Sequence, residues 1–262
     1  ATGRAGPEYD HGAFHQLGLR RSQHRFGFKS MSRESNNIVV KGVGWLDRQA
    51  FGCVRLRQRT VYGSLPEVLP PWKREDLLFH PVKNMGRFDA ISRITCCACA
   101  LTLRDAGLSL KNGQLSNIGL MGTNASGSLD ANRAYFKDYL NAGRKMGRGN
   151  LFIYTLPSSP LAESAIHFGL QAPVMYIGIP GQGLSSLLDA AAALIADGSD
   201  GCMLAVRADD QEGLGFLLGT NEECGMEGPC SLDQVRHMIE TPKKTGDLAL
   251  HLESAMERSA GS

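Results

Sequence analysis

The sequence predicts a layered α/β fold. Short apolar runs of strand length alternate along the chain with longer segments that have helical periodicity. With 262 residues, of which 42% are hydrophobic and 21% charged, the chain is long enough to bury a sizeable core. Residues 174–195 join a β-prone run directly to an alanine-rich helix through a glycine-containing turn. Together these features favour helices packed on a sheet of buried strands.

The first predicted elements are a strand at residues 38–44 and a helix at residues 87–106. Between them, residues 51–81 are irregular because four prolines interrupt them, with one strand expected near residues 54–56 and a short helix near residues 74–78. The later helix carries Phe88, Ile91, Ile94, Thr95, Ala98 and Leu101 on one face. Gly107 follows it at a position where glycine commonly ends helices.

Shorter elements follow in the second part of the chain. In order, we predict a strand at 118–122, a turn of small residues at 124–129, a helix at 129–142, an extended segment at 151–155, a short helix at 161–168, and strands at 202–206 and 215–218. The remaining sequence is polar and glycine-rich except for one amphipathic stretch at 231–240. We therefore divide the chain into a disordered N-terminal extension at 1–30, a folded domain at 31–220 and a polar C-terminal tail at 221–262.

Composition excludes several classes of function. The net charge of +2 gives no reason to expect nucleic acid as a partner. No apolar run reaches the roughly 18 residues of a membrane span, and the chain does not open with a secretory signal. The seven cysteines are an odd number, and we expect reduced thiols in a cytoplasmic protein.

The turn in the strand–turn–helix unit consists of Pro180, Gly181, Gln182 and Gly183. Enzymes use such a turn to hold a nucleophile at a helix N-terminus, where backbone N–H groups favour negative charge. This turn contains neither a thiol nor a hydroxyl, and the nearest hydroxyls, on Ser185 and Ser186, lie within the helix. The turn is either a purely structural bend or a site in which Gln182 has a specific role.

Other kinds of site have weaker support. The phosphate-binding spacings of nucleotide sites are absent, and Cys96, Cys97 and Cys99 point in different directions on one helix, so that we expect no metal site. Ser158, Ser159 and His167 lack the sequence context of a hydrolase triad. We expect His167 to have a structural role. We expect the Asp189 carboxylate to belong to a helix interface or a capping network, although the sequence indicates no partner for it. We expect no cofactor.

Several segments resemble, in order, the thiolase-fold β-ketoacyl synthases of fatty acid and polyketide synthesis. Residues 39–45 are similar to the first strand of that family and its glycine turn, and residues 85–108 resemble its first long helix with a closing Asp-Ala-Gly. Residues 117–127 resemble the next strand and its small-residue loop, and residues 164–173 the helix and Gly-Leu-x-x-Pro stretch before the nucleophile. The resemblance covers roughly residues 38–207.

This resemblance implies a thiolase-like layered α/β fold, of which the domain at 31–220 would be a single N-terminal-type half with a mixed sheet and flanking helices. Family members hold an acyl chain on a cysteine at the turn, while two histidines come from a second half of the fold. Counting from Gly183 places that cysteine position at Pro180, whereas counting from Pro173 places it at Gly181. Neither residue is a nucleophile, so the resemblance implies a degenerate site.

Chain-length factors, which lack the cysteine and often carry glutamine at the turn, are the members of this family that the chain resembles most. They pair with an active ketosynthase and shape the tunnel that measures the growing chain. The implied partners are therefore a ketosynthase, or a second copy in a dimer, and an acyl carrier protein, with no nucleic acid and no membrane. Two alternatives stay open: an active acyltransferase that uses Ser185 or a displaced thiol, and a degenerate homologue without a partner.

Overall fold

The computed structural model describes residues 37–69, 75–78, 81–108, 115–178, 183–198, 201–220, 230–239 and 244–260. The predicted extension at residues 1–30 lies outside these ranges, as do Pro180, Gly181 and Gln182 of the predicted turn. No helix within these ranges has both the length and the apolar character needed to cross a lipid bilayer.

One mixed sheet contains the eight strands of the described chain. Their bounds are β1 Ile38–Leu46, β2 Ala50–Cys53, β3 Gln58–Val61, β4 Ile118–Thr123, β5 Val174–Tyr176, β6 Cys202–Ala208, β7 Gly213–Thr220 and β8 Cys230–Ser231. The strand order is β3-β2-β1-β7-β6-β4-β5, and β8 pairs with β1. Strand β4 runs parallel to β5 and β6, whereas the other pairs are antiparallel.

Helices cover both faces of this sheet. Their bounds are α1 Ala90–Asp105, α2 Leu129–Asn141, α3 Gly149–Phe152, α4 Ser159–Phe168, α5 Leu184–Ala196, α6 Leu232–Ile239 and α7 Thr245–Ala260, with 3₁₀ turns at Met85–Arg87 and Ile153–Thr155. Helices α1 and α4 belong to the core on one face, and α5, α6 and α7 belong to the core on the other. The predicted strands 38–44, 118–122, 202–206 and 215–218 are all confirmed.

Helix α1 is the centre of the first core. It begins where the Asp89 carboxylate accepts a hydrogen bond of 2.8 Å from the backbone N–H of Ser92, and Gly107 follows its end with a φ of 72°. The prediction of a single apolar face was too narrow. Cys96, Cys97 and Cys99 are also fully buried, since α1 packs against α4 as well as against the sheet.

The segment predicted as a polar tail contributes to the second core. Its described part forms β8, α6 and α7, in which the side chains of Val235 and Leu252 are completely buried. Leu248, Leu252 and Met256 recur every four residues along α7, so they share one face. This apolar helix face was not predicted because the segment is polar on average.

Three predictions of local structure were wrong. Val54 and Leu56 lie in the turn between β2 and β3 rather than in a strand. The described part of the helix predicted at 74–78 forms a turn. Residues 151–155, predicted as extended, complete α3 and continue into a 3₁₀ turn. Phe152 and Ile153 are exposed and no strand pairs with this segment, so no sheet neighbour favours the extended state that such residues prefer.

Helix α2 leaves the body of the fold and contains no buried residue. It packs on one side against the following segment, where the rings of Tyr135 and Phe152 lie 5.5 Å apart between centroids. The other side is uncovered. We call its exposed apolar residues the open helical face, which consists of Leu129, Phe136, Leu140 and the adjacent Met146.

Candidate functional site

Three parallel strands end at one edge of the sheet. Strand β4 ends at Thr123, β5 at Tyr176 and β6 at Ala208. Helix α5 connects β5 to β6, which runs parallel to it on the other side of β4, so the helix must run back across the sheet and begin at this same edge. Ligands of α/β proteins bind beyond the carboxyl ends of parallel strands. This edge is therefore the candidate functional site.

The described end of the predicted turn is Gly183, which is buried and precedes α5 with φ −65° and ψ −4°. No side chain caps the helix there, and the Gly183 carbonyl accepts the first hydrogen bond of the helix, 2.9 Å from the N–H of Leu187. The first N–H groups of a helix have no partner within it. Ser185 and Ser186, in the first turn, are exposed.

Asn124 organises the loop that follows β4. Its Oδ1 accepts hydrogen bonds from the Gly127 backbone N–H at 2.6 Å and from the Tyr176 hydroxyl at 3.0 Å. Its amide group donates to the Gly127 carbonyl at 3.0 Å. This side chain therefore closes the loop on itself and ties it to the end of β5.

A charged network joins the turn between the end of β6 and the start of β7 to the start of α7. The Arg207 guanidinium lies 3.0 Å from Asp209 Oδ2 and 3.3 Å from Glu212 Oε1. Glu212 also accepts a hydrogen bond of 2.7 Å from the Thr245 hydroxyl, at the start of α7. Asp209 accepts another of 2.8 Å from the Ala125 N–H in the loop after β4. The network fixes three separate chain segments at the candidate site.

The site edge is acidic. A cavity of about 630 Å³ is lined in part by Asp47, Asp130, Asp209, Asp210 and Glu212. Burial raises the pKa of Asp210, and the neighbouring Asp130, Asp209 and Asp89 raise it further. No set of three or more metal-binding side chains is arranged to hold an ion in the part of the chain that the structure describes.

A second, smaller cavity of about 230 Å³ lies beside the start of α2. Its walls are mainly apolar and include Ile91, Ala131, Leu156 and Pro160. Tyr154 also lines it, and burial together with Glu163 and Asp89 raises the pKa of this phenol to about 12. The cavity therefore presents neutral groups, apart from the carboxylates at its rim.

No described free thiol lies on the α5 side at the site edge. Cys53, Cys96, Cys97 and Cys99 belong to the core on the α1 side, and Cys230 pairs with Val40 near the start of β1, at the opposite edge. Burial raises the pKa of Cys53 and Cys99 to about 12 and that of Cys230 to about 11. These thiols are therefore protonated at neutral pH and are poor nucleophiles.

The expectation of reduced thiols throughout was wrong at Cys202. This residue, at the start of β6, is disulfide-bonded. The other cysteines within the described ranges are free. This disulfide could not be predicted because disulfide connectivity depends on three-dimensional proximity.

The other polar residues singled out in the sequence do not meet at the site. The Ser159 hydroxyl donates to the Ile153 carbonyl, and His167 packs edge-on against Phe168 with their ring centroids 4.9 Å apart. Both residues lie on α4, on the face of the sheet opposite α5. Asp189 of α5 does have a partner, since its carboxylate lies 2.8 Å from the Arg236 guanidinium of α6.

Comparison with known proteins gives no match to a family model or to a curated protein. Solved structures do match. The ishigamide ketosynthase/chain length factor has a TM-score of 0.57 at 12% identity, with 72% of this chain and 59% of that chain covered. A β-ketoacyl synthase from Burkholderia phymatum STM815 has a TM-score of 0.51 at 15% identity, with 72% and 60% covered.

A third match is a type II polyketide synthase complex of an acyl-carrier protein and its ketosynthase bound to the hexaketide. It has a TM-score of 0.54 at 13% identity, with 85% of this chain and 82% of that chain covered. The chain has a ketosynthase fold. The predicted thiolase-like α/β fold with a mixed sheet and flanking helices is thus confirmed. The chain spans 59% and 60% of the length of the first two ketosynthase-fold proteins.

Sequence reasoning missed the polar residues that organise this ketosynthase-fold edge. Asn124 and Asp209 each directly follow a buried strand, and that position is a signal that could have identified them. The hydrogen bond between the Asp209 carboxylate and the Ala125 N–H could not be predicted because these residues are 84 positions apart in the chain. The predicted role of Pro180, Gly181, Gln182 and Gly183 as a degenerate turn stays a prediction.

Proposed function

We propose that this chain is a non-catalytic, chain-length-factor-like subunit that acts with an active ketosynthase in fatty acid or polyketide synthesis, including aryl-polyene-type pathways. The observation that carries the proposal is the sequence of the turn before α5 in a ketosynthase fold: Pro180, Gly181, Gln182 and Gly183 include no nucleophile. In this proposal the subunit is cytoplasmic, forms a dimer with the ketosynthase and meets substrates carried on an acyl carrier protein.

Covalent acyl transfer needs an activated nucleophile, and for cysteine this is the thiolate. The described free thiols are buried, with raised pKa values, and they lie away from the start of α5. The N-terminus of a helix stabilises a thiolate only when the thiol is within about one turn of it. These features support a subunit that does not form an acyl-enzyme.

The open helical face supports docking on a larger subunit. Phe136 and Leu140 are 59% and 41% exposed on one side of α2, and Met146 beyond its end is 79% exposed. Apolar side chains grouped on one face mark interaction surfaces more often than scattered ones do. By family resemblance, the loop at residues 123–128 and the helix at residues 129–142 lie near the dimer interface and the wall of the acyl tunnel.

The catalytic part of the proposal is tested by incubating the purified chain with a radiolabelled acyl-carrier thioester. We expect no stable label on the protein, whereas a ketosynthase that has its cysteine should be labelled under the same conditions. Stable label on this chain would contradict a non-catalytic role. Mapping that label by mass spectrometry would identify the nucleophile.

The partner is tested by co-purification with a ketosynthase encoded beside this chain. We expect a stable complex that Phe136→Glu disrupts, because a carboxylate at the centre of an apolar contact loses its hydration. Leu65→Glu is the matched control, since Leu65 is 73% exposed but lies in the segment after β3. Absence of any complex with the unmodified chain would favour a degenerate homologue without a partner.

An active acyltransferase is the second candidate, because Ser185 and Ser186 are exposed in the first turn of α5. A serine there would need a general base to become a nucleophile. Under this alternative the labelling experiment is positive, and Ser185→Ala or Ser186→Ala removes the label. Under the main proposal both variants behave like the unmodified chain.

A further inference from the structure

The outer side of β3 is an open edge of the sheet. Strand β3 is the last in the strand order and pairs only with β2 in the part of the chain that the structure describes. Gln58, Arg59 and Val61 of this strand are exposed, and Thr60 is half-buried. The unpaired backbone N–H and C=O groups of an edge strand form a template on which another extended chain can pair.

The hydrogen-bond pattern identifies which backbone groups of β3 point outward. In an antiparallel pair, successive residues of a strand point alternately toward the neighbouring strand and away from it. The Tyr62 N–H donates to the Gln49 carbonyl at 2.9 Å, so Thr60, two positions earlier, also points toward β2. The N–H and C=O groups of Arg59 and Val61 therefore point outward. They have no hydrogen-bond partner among the described residues.

Two guanidinium groups lie beside this edge, one on each face of the sheet. Arg59 lies over the Trp45 ring, 5.9 Å from its centroid, and Trp45 belongs to the core on the α5 side. Arg104, near the end of α1 on the other face, donates a hydrogen bond of 2.9 Å to the Asp76 carbonyl. Neither guanidinium group forms an ion pair with a carboxylate of the described chain.

The charge exposed around the edge is positive. Residues 54–61 contain three arginines and no carboxylate. Three carboxylates occur nearby on other elements. Glu257 lies 3.3 Å from one of these guanidinium groups, and Asp105 is completely buried with three backbone N–H groups as its donors. Asp76 is the third. With Arg104 included, four guanidinium groups therefore face three carboxylates, of which two are already engaged.

A cavity of about 350 Å³ lies beside β3 on the α1 side of the sheet. Its lining includes residues of β3 and of α1, among them Gln58, Thr60, Leu101 and Arg104. Asp76 also lines it, whereas Glu67 and Glu75 neither line it nor form an ion pair within the described ranges. In strand addition, backbone hydrogen bonds hold the added strand and pockets receive its alternate side chains. The edge and the cavity supply both parts of such a site.

The charges select the partner. In a two-fold pairing of two β3 strands, arginines of both copies would lie close together, and like charges across a strand pair are destabilising. A strand with carboxylate side chains would instead meet a guanidinium group on either face. We propose that the outer edge of β3 binds an extended acidic segment of a partner protein, which adds to the sheet as a further strand. The site shares no residue with the open helical face, so it is independent of the proposed ketosynthase partner.

The test uses the whole chain, isotopically labelled for NMR, and the peptide acetyl-Thr-Val-Glu-Val-Glu-Val-Thr-amide. In the free protein the amide protons of Arg59 and Val61 should exchange with solvent faster than those of Gln58 and Thr60, and the peptide should slow them. The same peptide with lysine in place of glutamate should bind at least about tenfold more weakly at low salt. A version that is N-methylated at every valine and glutamate lacks the backbone donors and should not bind.

A variant of the strand tests the same hydrogen bonds from the protein side. Val61→Pro removes one outward N–H group and leaves the pairing with β2 intact, because proline is tolerated in an edge strand where its N–H would face solvent. It should weaken peptide binding at least about tenfold. Val61→Ala is the matched control, since it keeps the N–H group and should retain most of the affinity. Circular dichroism checks that both variants fold, and if Val61→Pro does not, the N-methylated peptide still tests these bonds.

Several results would overturn the inference. Protected amides at Arg59 and Val61 in the free protein would show that the edge is already covered. A dimer in sedimentation velocity that Val61→Pro dissociates would show that the occupant is a second copy of the chain. Equal binding of the glutamate and lysine peptides would contradict an acidic partner, and absence of binding at about 1 mM of the glutamate peptide would contradict strand addition.

Discussion

The Asp105 carboxylate, in the last turn of α1, accepts a hydrogen bond of 2.7 Å from the backbone N–H of Val43 in β1. It also accepts the N–H groups of Arg55 at 3.1 Å and Leu56 at 2.9 Å, both in the turn between β2 and β3. One buried side chain thus ties the first helix to the first strand and to the hairpin at the sheet edge. Asp105 is completely buried, so these contacts are shielded from water.

Replacing Asp105 with alanine should lower the free energy of unfolding by about 3 kcal/mol, because it removes the acceptor for three backbone N–H groups, of which that of Val43 is buried. Asparagine should cost less, because its carbonyl oxygen keeps part of this acceptor capacity. Urea unfolding of the three proteins measures both differences. Equal stability of the alanine variant and the unmodified protein would show that water replaces the carboxylate.

The same residue predicts a pH dependence. Burial raises the pKa of Asp105 above its usual 3.8, although the backbone N–H groups of Val43, Leu56 and Arg55 act in the opposite direction. The carboxyl group of Asp105 therefore binds its proton more tightly in the folded state than in the unfolded state. The resulting stabilisation is fully present below pH 3.8 and is lost as the pH rises through the raised pKa. The advantage of the unmodified protein over Asp105→Asn should accordingly shrink from pH 4 to pH 7. An advantage that grows with pH would contradict this sign.

Gly44 sets the distance between β1 and α1. A Cβ at this position would overlap the backbone nitrogen of Thr102 and lie 2.6 Å from the Leu101 Cβ. Helix backbone cannot rotate away as a side chain can, so Gly44→Ala should cost at least the upper end of the ~1–3 kcal/mol typical of overpacked sites. Gly63→Ala is the control, since no atom lies within 4 Å of its added Cβ. The control should differ from the unmodified protein by less than about 0.5 kcal/mol in urea unfolding.

The elements that the sequence predicted correctly are those whose burial follows from local spacing. Strands β1 and β6 are mainly apolar runs, and α1 is a long apolar helix followed by the terminating Gly107. The strand predicted near residues 54–56 was misplaced because these residues form a turn that is fixed from a distance, by Asp105. Val54 is apolar and buried, so its position in a turn could not be recognised from its own sequence.

The candidate site was only partly predictable for the same reason. The strand–turn–helix unit at its edge has a local signature, and both β5 and α5 were found from it. The network of Arg207, Asp209 and Glu212 joins residues within a few positions of each other, but its links to Ala125 and Thr245 span 84 and 33 residues. Such contacts depend on the packing of the whole sheet and carry no signal in a single sequence.

The loop after β4 should depend on the Asn124 side chain. Asn124→Ala removes two hydrogen bonds to Gly127 and one from Tyr176, whereas Tyr176→Phe removes only the last. We expect losses of about 2 kcal/mol and about 1 kcal/mol in the free energy of unfolding. Because both changes break the same Tyr176 contact, the double variant should lose less than the sum of the single losses. Strict additivity would show that this hydrogen bond does not contribute.

The buried thiols predict a pattern of chemical reactivity. Cys53 and Cys99 have pKa values of about 12, raised chiefly by burial, and their side chains are 2% and 0% exposed. At pH 8 a thiol with that pKa is ionised to roughly one part in ten thousand, and the thiolate is the form that reacts. Alkylation of the native protein should therefore leave both residues unmodified, as peptide mapping by mass spectrometry would show. In denaturant the same residues should react at the rate of free cysteine, which is the matched control. Rapid alkylation of either residue in the native protein would mean that the α1 core opens, and it would reinstate a displaced thiol as a candidate nucleophile.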